Sequence, residues 1–136
     1  MKTILVTGAN GYLASLCMKE HPEFNYIKMT RKNADLSNPD AVEAYLSDLK
    51  FDICFHTAAN ATTALCEQNP ELAHKINVES TKKVIDACKR NNARLIFSGT
   101  EQSFNGKENR GPFKEEEPLN AVTVYGQNKL ECEQLI

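Results

Sequence analysis

Short apolar runs recur along the chain, and each is followed by a stretch in which apolar residues repeat at helical spacing. Ile4-Leu5-Val6 opens the series, followed by Tyr26-Ile27-Lys28-Met29-Thr30, Phe51-Asp52-Ile53-Cys54-Phe55 and Arg94-Leu95-Ile96-Phe97. Runs of this length, rich in β-branched and aromatic residues, read as strands of a buried parallel sheet. Ala34-Asp35-Leu36 reads as a further, very short strand. Between the runs, Leu13, Leu16 and Cys17 mark a helix that His21-Pro22 stops, and Asn38-Pro39 caps a second one with Val42, Tyr45, Leu46 and Leu49 on its buried face. Pro70 opens a long helix through about Arg90, in which Leu72, Ala73, Ile76, Val84, Ala87 and Cys88 share one arc at roughly 100° per residue, with the polar Asn77 inside it. Strand and helix in strict alternation predict an α/β fold with a doubly wound parallel sheet and right-handed crossovers.

The turn after the first strand is Thr7-Gly8-Ala9-Asn10-Gly11-Tyr12-Leu13-Ala14, a G-x-x-G-x-x-A pattern. Gly8 supplies backbone freedom for a sharp strand-to-helix turn, and Gly11 lets a phosphate approach main-chain N–H groups at a helix N-terminus. Ala14 allows helix and strand to pack closely. Incidental glycines in an ordinary strand-turn-helix are the alternative. About 20 residues on, where a dinucleotide-binding fold meets the adenosine ribose, stand Thr30, Arg31 and Lys32 in place of an acidic residue. Two cations there suit a 2′-phosphate, which favours NADP over NAD, although such pairs are also common on surfaces. The small residues of His56-Thr57-Ala58-Ala59-Asn60 leave room at the carboxyl edge of the sheet. His56 itself reads as a strand-end histidine bonded to backbone rather than a base. A buried Asn77 must be hydrogen-bonded, so it braces neighbouring backbone, joins a proton network, or does both.

Composition narrows the class. The 136 residues make one domain, residues 1–136, with 41% hydrophobic and 25% charged side chains and a net charge of −2. That balance attracts neither nucleic acid nor an anionic membrane and favours a small-molecule partner. Cys17, Cys54, Cys66, Cys88 and Cys132 show no paired spacing and read as buried thiols rather than metal ligands or disulfides, so no metal is expected. A strand within the first residues leaves no room for a leader, and no run approaches the roughly 18 apolar residues of a membrane helix, so a cytoplasmic location is expected. The glycine- and proline-punctuated stretch from Gly99 to Ala121 reads as a functional loop, with Lys114-Glu115-Glu116-Glu117 as solvated surface.

The last segment places Tyr125 and Lys129 four apart, on one face of a helix. An ammonium beside a phenol lowers its pKa, fitting the tyrosine for proton exchange with a carbonyl oxygen. By Thr7–Ala14, Asp35-Leu36, His56–Ala59, Ile76-Asn77-Val78, Gly99–Gly106, Pro112–Glu115 and Tyr125–Lys129, the chain resembles the extended short-chain dehydrogenase/reductases, and among them the dTDP-4-dehydrorhamnose reductase group. The resemblance implies a Rossmann-type NAD(P)-binding domain. It implies a reductase of a nucleotide-linked 4-keto sugar in which Tyr125 protonates the carbonyl oxygen, Thr100 hydrogen-bonds it and Lys129 holds the ribose. It also implies that Gly8, Asn10, Gly11, Tyr12 and Leu13 cradle the pyrophosphate, Arg31 meets the ribose side, Asp35 and Leu36 the adenine, and Ala58, Ala59 and Asn60 line the cofactor further along.

Three positions depart from the family's pattern: Gly99 for a serine, Gln102 for a tyrosine and Asn60 for another tyrosine. Family members continue for about as long again beyond the Y-x-x-x-K helix, so the domain is expected to be incomplete, truncated after that helix, and to bind dinucleotide without turning over nucleotide sugar. A sheet ending on its fifth strand would leave an open edge, and a homodimer or aggregate through edge pairing is expected. A non-catalytic dinucleotide-binding regulatory subunit and a nucleotide-sugar epimerase or dehydratase are the alternative readings.

Overall fold

The computed structural model describes residues 1–106 and 111–136. Among them, β1 (Thr3–Thr7), β2 (Asn25–Met29), β3 (Ile53–His56) and β4 (Arg94–Phe97) form a single parallel sheet in the order β2-β1-β3-β4. The helices are α1 (Tyr12–Glu20), α2 (Pro39–Leu46), α3 (Thr63–Gln68), α4 (Pro70–His74), α5 (Ser80–Asn91) and α6 (Val124–Leu135). A π-helical turn, Lys75–Glu79, joins α4 to α5, and a 3-10 turn, Glu101–Ser103, follows β4. Residues 107–110 of the long segment between Gly99 and Ala121 lie outside the described residues. On either side of them, Phe104 stacks on Phe113 with ring centroids 4.5 Å apart, and Lys114 to Glu116 are exposed.

Alternation along the strands sorts the side chains onto two faces. Ile27, Leu5, Cys54 and Leu95 are register partners across all four strands, and this row packs with Val42 and Leu46 of α2 and Val84, Ala87 and Cys88 of α5. The opposite face carries Ile4, Val6, Ile53 and Phe55, against which α1 lays Ala14. Ala14 is fully buried, as the G-x-x-G-x-x-A pattern predicts, but Leu13 and Leu16 are 52% and 41% exposed. Close approach through the small residue, together with Met18, seats this helix, and its leucine stripe faces away.

Two expected elements differ. Ala34-Asp35-Leu36 is a turn and not a strand, because Asp35 Oδ1 accepts the N–H of Ser37 at 2.8 Å and its carbonyl accepts that of Asn38 at 2.9 Å. These local bonds compete with a sheet ladder for the same backbone groups. Among the described residues the sheet therefore has four strands, with β4 at one end of their order. The long helix from Pro70 is continuous but contains the π-turn, and the extra residue rotates everything after it by roughly 100° relative to an uninterrupted α-helix. Ala73, Asn77, Val84, Ala87 and Cys88 are buried as predicted, whereas Leu72 is 40% exposed and Val78 is fully buried.

Leu5 sits at the centre of the largest core and is wholly buried. Leu5→Ala is expected to lower the unfolding free energy by about 2–5 kcal/mol, and Leu16→Ala by less than about 0.5 kcal/mol, in urea denaturation. Equal losses would show that α1 is seated differently.

Candidate dinucleotide site

The chain runs from β1 to β2 on one side of β1 and returns to β3 on the other, so the connections diverge between the carboxyl ends of β1 and β3. Open α/β sheets bind ligands in the crevice at such a point. A cleft of about 600 Å³ opens here, lined by Thr7, Gly8, Arg31, Asp35, Leu36, Ala58, Ala59 and Asn60 among others. A neighbouring cleft of about 430 Å³ adds Asn10, Gly11, Tyr12 and Leu13.

The glycine turn forms the floor. Gly8 has φ +65°, and a Cβ there would come within 3.1 Å of the Ala58 backbone, so both conformation and space demand glycine. The Gly11 N–H closes the turn on the Gly8 carbonyl at 2.8 Å, and α1 begins without a side-chain cap, its first N–H groups left to another acceptor. Tyr12 is 85% exposed at this rim. At the end of β2, Asn33 Oδ1 accepts from both the N–H and the hydroxyl of Thr30, and this turn presents Arg31. The Arg31 guanidinium, 86% exposed, stands 3.7 Å from Asp35. The Ser37 N–H bonded to Asp35, then the Ser37 side chain, hold that carboxyl below the usual range, with Arg31 adding to the effect.

The segment after β3 is anchored at both ends. Thr57 Oγ1 donates to the Thr7 carbonyl at 2.8 Å, and the Ala58 N–H donates to Thr7 Oγ1 at 3.2 Å. At the far end Asn77 brackets Asn60: Oδ1 accepts the Asn60 N–H at 2.7 Å, and Nδ2 donates to the Asn60 carbonyl at 3.1 Å. The inward amide is thus a backbone brace, one of the two roles open to it from the sequence.

His56 is buried at the centre of these anchors. Thr81 Oγ1 gives its proton to the Asn77 carbonyl at 2.7 Å, so it can only accept from His56 Nε2, 2.8 Å away. A neutral imidazole has one N–H, so Nδ1 accepts from Thr7 Oγ1 at 2.6 Å. Side-chain hydroxyls, and not the backbone expected from the sequence, are its partners. Burial, and then the charge of Lys129, pull the imidazole down to about 3, and it stays neutral at physiological pH.

At the end of β4, Thr100 Oγ1 accepts the Gln102 N–H and donates to Glu101, each at 3.2 Å. The turn it begins lies against α6 because residue 126 is glycine: a Cβ there would collide with the Gln102 carbonyl. Thr123 caps α6 by accepting the Gly126 N–H at 3.0 Å and donates to Gln102 Oε1 at 2.8 Å. Tyr125 and Lys129 are both buried on this helix, with Tyr125 beside Thr100. Burial, then the electrostatic influence of Glu101 and Cys66, raise the Tyr125 phenol above its ordinary value, and a hydrogen bond with Thr100 opposes the rise. The sequence reading expects Lys129 to lower this phenol. In the structure the Lys129 ammonium instead lies 3.9 Å from the centroid of the Phe97 ring, and burial pulls it below the usual lysine range against the influence of Cys132 and Glu133.

The RmlD substrate binding domain model matches residues 1–136. The chain belongs to this family. It is 25% identical to the dTDP-4-dehydrorhamnose reductase of Aggregatibacter actinomycetemcomitans, over 100% of this chain and 47% of that protein. It is 26% identical to the methionine adenosyltransferase 2 subunit beta of Bos taurus, over 99% of this chain and 42% of the relative. The crystal structure of dTDP-4-dehydrorhamnose reductase from Bacillus anthracis in complex with NADP superposes with a TM-score of 0.87 at 27% identity, covering 98% of this chain and 48% of its own. The chain spans about half the length of the curated relatives it matches. The sheet with its flanking helices is the Rossmann-like fold of these reductases.

The sequence reading assigns no role of their own at this crevice to Thr7, Thr81, Phe97 and Gly126. Gly126 carries a usable signal, since glycine inside a helix costs about 1 kcal/mol against alanine and marks a close approach. The threonines carry none, because only strand register and helix rotation make them meet. His56 has a depressed pKa, so the folded state binds fewer protons than the unfolded one below about pH 6.5, and stability is lost as pH falls from there toward about 3. The gap in unfolding free energy between the wild type and His56→Phe is therefore expected to shrink by about 2–3 kcal/mol between pH 7 and pH 4.5 in urea titrations. A constant gap would mean that His56 is not held neutral.

Proposed function

We propose that this chain is the dinucleotide-binding part of an NADP-dependent reductase acting on a nucleotide-linked 4-keto sugar of the dTDP-4-dehydrorhamnose type. What supports the reading is that α6 carries both Tyr125, beside Thr100, and Lys129, over the ring that ends β4, both buried near the carboxyl edge that bears the Gly8–Gly11 turn. The residues fit the cofactor, since the side-chain-free approach at Gly8 and the uncapped start of α1 make room and donors for a pyrophosphate. Asn10, Gly11, Tyr12 and Leu13 would complete that cradle. Arg31 would meet the 2′-phosphate, Asp35 and Leu36 the adenine, and Ala58, Ala59 and Asn60 the stretch toward the nicotinamide. A bound reduced nicotinamide supplies hydride to the carbonyl carbon.

Within this reading Tyr125 is the acid. Its raised pKa keeps the phenol protonated at neutral pH, the form needed to give a proton to the carbonyl oxygen as it gains charge. Thr100 hydrogen-bonds the same oxygen, and Lys129 holds ribose hydroxyls. The NADP complex of the Bacillus anthracis relative supports the cofactor choice. The methionine adenosyltransferase subunit among the relatives favours a second reading, a regulatory subunit that binds dinucleotide without reducing a sugar.

In a protein that joins these residues to the remaining length of the relatives, Tyr125→Phe is expected to cut NADPH-dependent reduction of a dTDP-4-keto sugar by at least about 10²-fold while leaving NADPH affinity within about twofold. Undiminished turnover discards the mechanism; an unmutated protein of the relatives' full length that binds NADPH yet reduces no such sugar favours the regulatory reading. Arg31→Ala should lower NADPH affinity about tenfold and leave NADH affinity unchanged in fluorescence titrations. Equal losses for both cofactors would remove Arg31 from the 2′-phosphate.

A further inference from the structure

Phe97 ends β4 in the register row that also holds Thr7 and His56, so its ring shares their face of the sheet. One side of the ring is packed: His56 lies 5.9 Å away, centroid to centroid, at 31°. Both nitrogens of that imidazole are taken by Thr7 and Thr81, so His56 stands beside the ring as a neutral plate. The Lys129 ammonium lies over the ring, 3.9 Å from its centroid, on a residue only 2% exposed. A desolvated ammonium at that distance is attracted by the negative face of the ring, and the attraction grows as water is excluded.

We propose that Phe97 is a positioning residue for Lys129, its ring face seating the buried ammonium at the carboxyl edge of the sheet. The consequence for ligand binding rests on the reading above, in which Lys129 meets a bound dinucleotide. Around the ammonium, Cys132 and Glu133 on the same helix favour its charged form, while the neutral His56 on β3 neither repels nor pairs with it. The ring is therefore the feature on β4 that offsets the desolvation of this charge. An aliphatic side chain of similar size would fill the space and leave the desolvation opposed by Cys132 and Glu133 alone.

The test is a pH titration of the lysine 15Nζ resonances of the chain, with Lys129 assigned by its loss in Lys129→Met. Phe97→Leu is expected to lower the Lys129 midpoint by roughly one pH unit, and Phe97→Tyr, which keeps the ring, to leave it near the wild-type value. Phe97→Met takes the place of the leucine variant if that one does not fold. NADPH titrations across the same pH range are expected to show the alkaline weakening of binding move down with the midpoint. An unmoved midpoint in the aliphatic variants, or an equal drop in Phe97→Tyr, overturns the proposal. A midpoint that drops in the aliphatic variant alone, with the binding profile unmoved, supports the seat and removes Lys129 from the dinucleotide.

Discussion

The hydrogen bond between Thr7 and His56, 2.6 Å long and buried between register partners on β1 and β3, is the contact to which the rest of the crevice is referenced. Thr7 is the last residue of β1, and its other bonds hold Thr57 and Ala58. Through Nε2, His56 reaches Thr81 and so the Asn77 carbonyl. Each hydroxyl in the series both gives and receives one hydrogen bond, so the proton order runs one way from the Ala58 N–H to the π-turn. A buried network of this kind is stable only when every member is satisfied. Protonation of His56 would break it, since a doubly protonated ring has no acceptor for Thr7.

The π-turn is where three segments meet. The Asn77 carbonyl within it accepts Thr81 Oγ1 at 2.7 Å and, at 3.1 Å, the Cys132 thiol of α6. One widened turn thus lets α5, α6 and the segment after β3 share a single residue, with the Asn77 side chain on Asn60 and its carbonyl on the other two. π-turns inside helices are frequent at functional sites. Gly126 does the corresponding work on α6, letting the Thr100 turn approach the helix that carries Tyr125 and Lys129.

Burial sets the chemistry of that helix more than the neighbour four residues away. Tyr125 and Lys129 share a helix face, but each is shifted toward its neutral form, mainly by desolvation. A lysine ammonium has several rotatable bonds between it and its Cα, and side-chain spacing along the helix does not determine where it comes to rest. Strand β4, through Phe97, decides that here.

The sequence by itself determined the class of fold, the glycine turn, the cap at Asn38, the inward amide of Asn77 and the placement of Tyr125 and Lys129 on one helix. All of these rest on local rules: β-branched runs, a 3.6-residue period, the steric freedom of glycine and the donor missing from proline. Ala34-Asp35-Leu36 misled because three residues carry too little pattern to outweigh a local Asp35–Ser37 hydrogen bond. Leu72 misled because on α4 the neighbouring Ala73, packed with Cys66 and Tyr125, is the buried residue and the leucine beside it stays exposed. The tertiary structure decided the rest, and for one reason. Thr7, His56, Thr81, Phe97 and Lys129 come from β1, β3, α5, β4 and α6, and only the parallel register and the rotation of two helices bring their side chains within hydrogen-bond or ring-contact distance.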